Sequence, residues 1–528
     1  MFRRLWRYIE GANGLLLILY CVFIFSAFAF TTGNSLRFFA RWFFVICLLC
    51  AAFCPAALRA VRRLDAYDRP KGSEFKSSAA NETALRALFF ALPLLIFLCR
   101  YIVYYPAAFS TDSVDQYAQA VTNTYNDWHP AVHTLLFIKL PLLLTGGWTG
   151  SIILFQILVF SAVIGYSLLV IKDCAGTRRA FITMAFIMLN PQTGNIAMFP
   201  WKDVAFAIGA LLLTAYTVRI YYSGGAWIRR PANTAAFATV LALTGLFRHN
   251  APLFTVPLLF AAAFFIGWKR LFVICLCAIA LVFGIKKPLY SALNVAPADR
   301  PAVETLGLPM TVIGSAVTYS PEALDEDILE FAYRVAPKEL WEEKYQPGIF
   351  NGVKWDERFD SSVPDEYGAR RVLEMAWRCV KQSPVVSLKG LIKLTDVVYS
   401  VSDDFAYTSI PRMTRNPFGI KLRGIPSLQR LNAFVSRVTA TMLPWLFSYA
   451  GAVHLALIVL ILARFRLDRF ESWKRIFLVL PVFTYNFGTA LLLSGSTDSA
   501  RLFHYTFLLA PSLFLLLGKK HERNAENR

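Results

Sequence analysis

A chain of 528 residues that is 56% hydrophobic, 15% aromatic and only 17% charged, with a mean hydropathy of +0.49, has the composition of a polytopic membrane protein and is too apolar for a soluble one. Its net charge of +20 does not indicate nucleic acid, because the Lys and Arg residues sit in short clusters between apolar runs, as the positive-inside rule expects. Of its nine cysteines, Cys21, Cys47, Cys50, Cys54, Cys99, Cys275 and Cys277 lie inside apolar runs, where a thiol acts as a small hydrophobe, so no disulfide framework is implied.

The N-terminal Met-Phe-Arg-Arg-Leu-Trp-Arg precedes an apolar run without a clear small-residue cleavage site, and reads as a retained signal anchor. About twelve spans can be drawn, at 12–32, 38–58, 86–106, 149–171, 180–197, 203–220, 233–247, 252–267, 271–287, 443–463, 475–494 and 502–518. With these spans every basic cluster falls on one side: Arg3, Arg4 and Arg7; Arg59 to Lys76; Lys172 to Arg179; Arg219 to Arg230; Lys269 and Arg270; Arg464 to Arg475; Lys519 and Lys520. The parity holds only if residues 131 to 146 dip into the outer leaflet without crossing, which Pro141 and Gly146-Gly147 favour. Both termini are then cytoplasmic, and 107–148, 198–203, 248–251, 288–442 and 495–501 face outward.

The first outer loop is the richest in chemistry. A helix over 112 to 121 puts Asp112, Asp115, Gln116 and Gln119 on one face and Val114, Ala118 and Val121 on the other. Asp112 is read as a general base or, alternatively, as the N-cap of this helix, with Asp115 in support. After a turn at 123 to 127, His129-Pro130 opens a second apolar segment with His133 one turn on. His129 and His133 have the i, i+4 spacing of metal ligands, with Asp127 near. Packing or contact with an acceptor is the plainer reading, and no cofactor is certain, although a divalent metal assisting a phosphate stays open.

Residues 288 to 384 form the longest weakly apolar segment and carry many of the acids, from Glu322 to Glu366, which predicts a small helical cap. Residues 385 to 402 are apolar but carry Lys389, Lys393 and Asp396, which predicts a helix lying on the membrane surface. The predicted organisation is therefore an N-terminal hairpin and cytoplasmic loop (1–85), a transmembrane core (86–287), an outer cap (288–442) and C-terminal spans with a tail (443–528).

Ionisable groups recur at the outward ends of spans: Asp112, Asp115, Asp127, His129 and His133; Lys202 and Asp203; Arg248, His249 and Asn250; Asp498, Arg501 and His504. Such groups are costly there unless they share a cavity or a partner, so a common pocket is expected. Lys202 with Asp203 also fits a bare interfacial ion pair, and Arg248 and Arg501 could snorkel to headgroups. Carboxylates beside Arg and Lys suit a reaction in which a carboxylate takes the proton of a hydroxyl while cations hold a phosphate leaving group.

Ser-Thr-Asp-Ser-Val-Asp at 110–115, Asp-Trp-His-Pro at 127–130, Trp-Lys-Asp at 201–203 and the late Arg501 together resemble the motifs of the C-type (GT-C) glycosyltransferases, and are similar to an uncharacterised bacterial DUF6020-like branch. The resemblance covers 86–287 well and 443–518 loosely. It departs in having Asp-x-x-Asp for an acidic pair and His-Pro-Ala for His-Pro-Pro. It implies an all-α GT-C-like membrane fold and a hexosyltransferase of the cell membrane whose active site faces outward. The sugar would pass from a polyprenyl-phosphate carrier to a hydroxyl of a cell-envelope glycan or protein, with inversion. A lipid-linked saccharide flippase, or a polymerase or ligase of surface polysaccharide, would use similar groups and are the rival readings.

Overall fold

The computed structural model describes residues 7–33, 36–67, 79–298, 302–401, 409–465, 467, 469–492 and 499–518. Asp498 and the cations Arg3, Arg4, Arg69, Lys71, Lys76, Arg466, Lys519 and Lys520 lie outside them. Among the described residues the chain is helical, with isolated bridges and no strand.

Among the described residues six helices are long and apolar enough to cross a membrane: α1 (Gly11–Thr32), α2 (Leu36–Tyr67), α3 (Ala79–Val103), α6 (Gly150–Ala175), α9 (Lys202–Tyr222) and α12 (Trp268–Ala292). Between α3 and α6 come α4 (Thr111–Thr122) and α5 (Ala131–Leu144). The 14 residues of α5 give a rise of about 21 Å, less than the hydrocarbon thickness of about 30 Å. Its middle, Thr134–Lys139, is a π-helical turn packed against α4.

The remaining expected spans are shorter or broken. The run at 180–197 divides into α7 (Thr177–Leu189) and α8 (Pro191–Ile196), because the Asn190 side chain accepts from the amide of Gln192 at 2.9 Å and Pro191 opens a new helix. Helices α10 (Pro231–Phe247) and α11 (Pro252–Ile266) are apolar but of 17 and 15 residues. α11 stops where Gly267 takes a φ of 77° that other residues resist.

The cap consists of α13 (Gly307–Tyr319), α14 (Glu326–Val335), α15 (Lys338–Lys344) and α16 (Ser362–Gln382) with short connecting turns. It gathers its own apolar core around Phe331, Trp341 and Phe350, where the Trp341 indole donates to the carbonyls of Ala332 and Ala336 at 3.0 and 3.1 Å.

The helix α17 (Pro384–Tyr399), expected to lie on the membrane surface, packs against α13, α1, α19 (Ala450–Arg464) and α21 (Leu480–Leu492). Lys393 and Asp396, 3.1 Å apart on one face, pair with each other, and that lets a charged helix be packed on several sides. The imidazole Nδ1 of His454 meets the carbonyl of Val398 at 2.7 Å, so that histidine is packed core.

The C-terminal part adds α18 (Pro426–Met442) before α19, a bent pair of α20 (Phe470–Phe477) and α21, and finally α22 (Ser499–Phe503) and α23 (Tyr505–Leu516). The main core runs between α3, α6, α9 to α12, α19, α21 and α23, and α9, buried over most of its length, is its axis. The first turn of this central helix carries Lys202 and Asp203.

Candidate active site

The helix α4 is capped by Ser110, whose hydroxyl accepts from the amide of Ser113 at 3.4 Å and from the indole of Trp201 at 2.8 Å. That corrects the alternative reading of Asp112 as the cap, and leaves its carboxylate free for another partner.

The partner is Arg501. Its Nη1 donates to Asp112 Oδ2 at 2.9 Å, its Nε lies 3.3 Å from Asp203 Oδ2, and its guanidinium sits 5.2 Å from the centre of the Trp201 ring. The other oxygen of Asp203 accepts from Arg248, whose guanidinium lies over Tyr485 and Phe206 at 5.7 and 6.0 Å. A continuous chain of charge, Asp112–Arg501–Asp203–Arg248, thus joins α4, α22, α9 and the end of α10. Asp203, only 2% exposed in its side chain, is sustained by two guanidinium groups and by its place in the first turn of α9.

A second chain runs beside the first. The Lys202 ammonium contacts His129 Nδ1 at 2.6 Å. An ammonium only donates, so Nδ1 is the acceptor and the ring proton sits on Nε2. That nitrogen faces Asp115 Oδ2 at 3.7 Å, and the same oxygen accepts from Gln119 at 2.8 Å.

The two carboxylates of α4 are shifted in opposite directions. Burial alone would raise the Asp112 carboxyl, but the charges of Arg501 and Lys202 outweigh it and hold the group at about 2. Asp115 is raised above the usual carboxylate range, first by burial and also by the charge of Asp112, against the hydrogen bond from Gln119. Burial and the nearby Lys202 push His129 down to about 3, so the imidazole is neutral.

The other candidates have separate partners. Asp127 accepts from Tyr290 at 2.7 Å and from Lys286 at 3.1 Å, and its backbone carbonyl meets His249 Nε2 at 3.1 Å. His133 is buried, with Nδ1 on the Gln116 amide at 2.8 Å and its ring stacked on Phe137. Asn250 donates to Thr489 at 2.9 Å, and His504 Nε2 meets the Thr193 hydroxyl at 3.1 Å. Lys202 and Gln116 meet the Nδ1 atoms of His129 and His133, Lys286 and Tyr290 hold Asp127, and among the described residues no three His, Cys, Asp or Glu side chains converge.

Sequence reasoning missed Ser110, Trp201, Gln119, Lys286 and Tyr290 as partners. Lys286 left a signal, a charge at the outer end of the apolar run over 271–287. The hydroxyl and indole carried none.

No family model matches the chain, and a search of curated proteins finds no match. Among solved structures it is similar to ArnT from Cupriavidus metallidurans in the apo state, at 15% identity over 83% of this chain and 77% of that one, with a TM-score of 0.33. The chemistry of the site is read from its own residues.

Lys202, Arg248 and Arg501 face Asp112, Asp203 and Asp115. With Asp115 ionised the charges balance. Once Asp115 takes a proton, three cations face two carboxylates, and the site gains a unit of positive charge that favours an anion.

Proposed function

We propose that this chain is an integral membrane glycosyltransferase of the GT-C type that moves a sugar from a polyprenyl-phosphate donor to a hydroxyl of a cell-envelope acceptor. The observation that carries the proposal is the meeting of Asp112, Arg501, Asp203 and Arg248 beside Lys202, His129 and Asp115, because all of these except Arg248 come from the motifs that resemble that superfamily. The proposal includes about twelve spans, both termini in the cytoplasm and the site at the outer face, on the strength of the basic clusters in the sequence.

Asp115 serves as the base. Asp112 is clamped by Arg501 and held at about 2, too weak a base to take a proton from a hydroxyl, whereas Asp115 is raised and its side chain is 46% exposed. Asp115 removes the acceptor proton as the oxygen attacks the anomeric carbon. The bond from that carbon to the phosphate oxygen breaks, and the phosphate leaves with the electron pair. The proton kept on Asp115 leaves Lys202, Arg248 and Arg501 facing only Asp112 and Asp203, an excess of one positive charge that stabilises the departing phosphate. A single displacement of this kind inverts the anomeric centre.

The test is transfer of labelled sugar from polyprenyl-phosphate donors in membranes carrying wild type, Asp115→Asn or Asp112→Asn. Loss of transfer in Asp115→Asn at normal membrane content supports the assignment. Undiminished transfer in Asp115→Asn removes the base from that residue, and absence of transfer from every such donor in wild type removes the reaction.

A further inference from the structure

Residues 409 to 442 carry charge of one sign only. They contain Arg412, Arg415, Lys421, Arg423, Arg430 and Arg437 and not one Asp or Glu. All six are exposed, and none forms an ion pair with a carboxylate among the described residues. Isolated cations of one sign gathered on a surface raise the local concentration of anions.

The same segment exposes a wide apolar face. On α18, Leu428, Leu431, Phe434, Val435, Val438 and Met442 recur at helical spacing and are exposed, Phe434 by 65% and Met442 by 70%. Asn432, Ser436 and Ala440 form the opposite, buried face. Arg430 and Arg437, seven residues apart, lie on the flank between the two.

The polar side is anchored. Asn432 donates to Tyr104 at 2.7 Å and to Asn195 at 2.8 Å, and Ser436 accepts from Asn195 at 3.0 Å. The strap before the helix is pinned to the chain leading into α4: the amide of Thr414 donates to the carbonyl of Phe109 and that of Arg423 to Tyr105, each at 2.8 Å. The apolar face therefore cannot turn inward, because its opposite side is committed to the protein. A fixed helix with an apolar outer face and cations along its flank is suited to the boundary of acyl chains and headgroups.

We propose that residues 409–442 form a lipid-binding arm: α18 lies in the plane of one leaflet with its apolar face among acyl chains, and the six cations hold the phosphates of anionic glycerophospholipids. Charge complementarity selects this occupant, since a neutral lipid or an apolar protein partner leaves six positive charges without a counterpart. The arm's chemistry is independent of the transfer reaction and holds whichever leaflet it occupies.

The test places a benzophenone amino acid at Phe434 or Met442 of the full-length protein in bilayer discs of phosphatidylcholine with about a fifth of phosphatidylglycerol and a trace of polyprenyl phosphate. Illumination cross-links the lipid at the arm, and mass spectrometry identifies it. The expected result is phosphatidylglycerol enriched about threefold or more over its share of the bilayer, falling to that share in Arg430→Gln/Arg437→Gln and retained in Arg430→Lys/Arg437→Lys. Lys421→Gln/Arg423→Gln, in the strap, gives a second reading that leaves α18 intact. Phosphatidylglycerol at its bulk share in the wild type, enrichment that survives both Gln pairs, or no lipid cross-linked at either position overturns the proposal. Cross-linking dominated by polyprenyl phosphate overturns the choice of lipid. Because no reading uses sugar transfer, an inactive enzyme leaves the result interpretable.

Discussion

Asp112 and Arg501 stand 389 positions apart in the chain, and Asp112 Oδ2 accepts from Arg501 Nη1 at 2.9 Å. The pair ties a helix of the first large loop to the short helix that precedes the last apolar one. It also sets the two carboxylates of α4 apart, because the guanidinium that fixes Asp112 lowers that carboxyl while Asp115 is raised by burial and by its neighbour's charge.

If this contact is a direct coupling, Asp112→Asn and Arg501→Gln will not be additive. Each single change takes one partner from the other side chain, and the double change removes both. The expected coupling is about 1–3 kcal/mol, read from unfolding midpoints of the four proteins in one detergent. A coupling near zero means that the two side chains are held by others.

Asp203 is the most demanding position. Its carboxylate receives Arg248 on one oxygen and faces Arg501 on the other while almost wholly buried. Asp203→Asn leaves two guanidinium groups in a poorly solvated place, at a cost of about 3–5 kcal/mol. The expected outcome is low yield of folded protein, with partial recovery when Arg248→Met is added. Yield and thermal midpoint measured by size-exclusion chromatography after heating test this, and normal stability of Asp203→Asn contradicts it.

The convergence of Asp112, Lys202, Asp203, Arg248 and Arg501 was legible in the sequence, because ionisable groups at the ends of apolar runs are too costly to stay solitary. The helix over 112 to 121 was legible from its polar spacing, and the structure places it at Thr111–Thr122. The pairing was not legible. Whether Arg501 reaches Asp112 or a headgroup depends on how α22 sits against α4, and no local pattern encodes that. The break at Asn190-Pro191 carried a cap signal, but an apolar run on both sides hid it. Lys393 and Asp396 suggest a surface helix by composition, but at i, i+3 they pair with each other, which allows the helix to pack.

With Asp115 as the base proposed above, the pH dependence of transfer is expected to report on it. Its carboxyl lies above the ordinary range, so the acid limb of kcat/KM is expected above that of a free carboxylate. The charge of Asp112 contributes to raising it and that of Lys202 to lowering it. Asp112→Asn should therefore move the acid limb to lower pH, and Lys202→Gln should move it to higher pH. Profiles that shift together, or not at all, place the titrating group elsewhere.

Stability against acid separates the two carboxylates by sign. Asp112 falls from 3.8 to about 2 in the folded protein, so its contribution is full above about pH 4 and is lost as the pH falls toward 2. Asp115 is raised, so its folded form prefers the proton, and its contribution is present in acid and lost as the pH rises through the folded value. Removing the charge by Asp112→Asn should flatten the acid side of the stability curve, because no carboxylate is left there to be protonated. Asp115→Asn should raise stability relative to wild type on the neutral side, since it removes a carboxylate that burial disfavours. Unfolding midpoints of wild type and both variants between about pH 2 and 7 give the comparison. Acid curves of the same shape for wild type and Asp112→Asn mean that Arg501 holds that carboxylate too weakly to depress it, and the case for Asp115 as the stronger base fails with it.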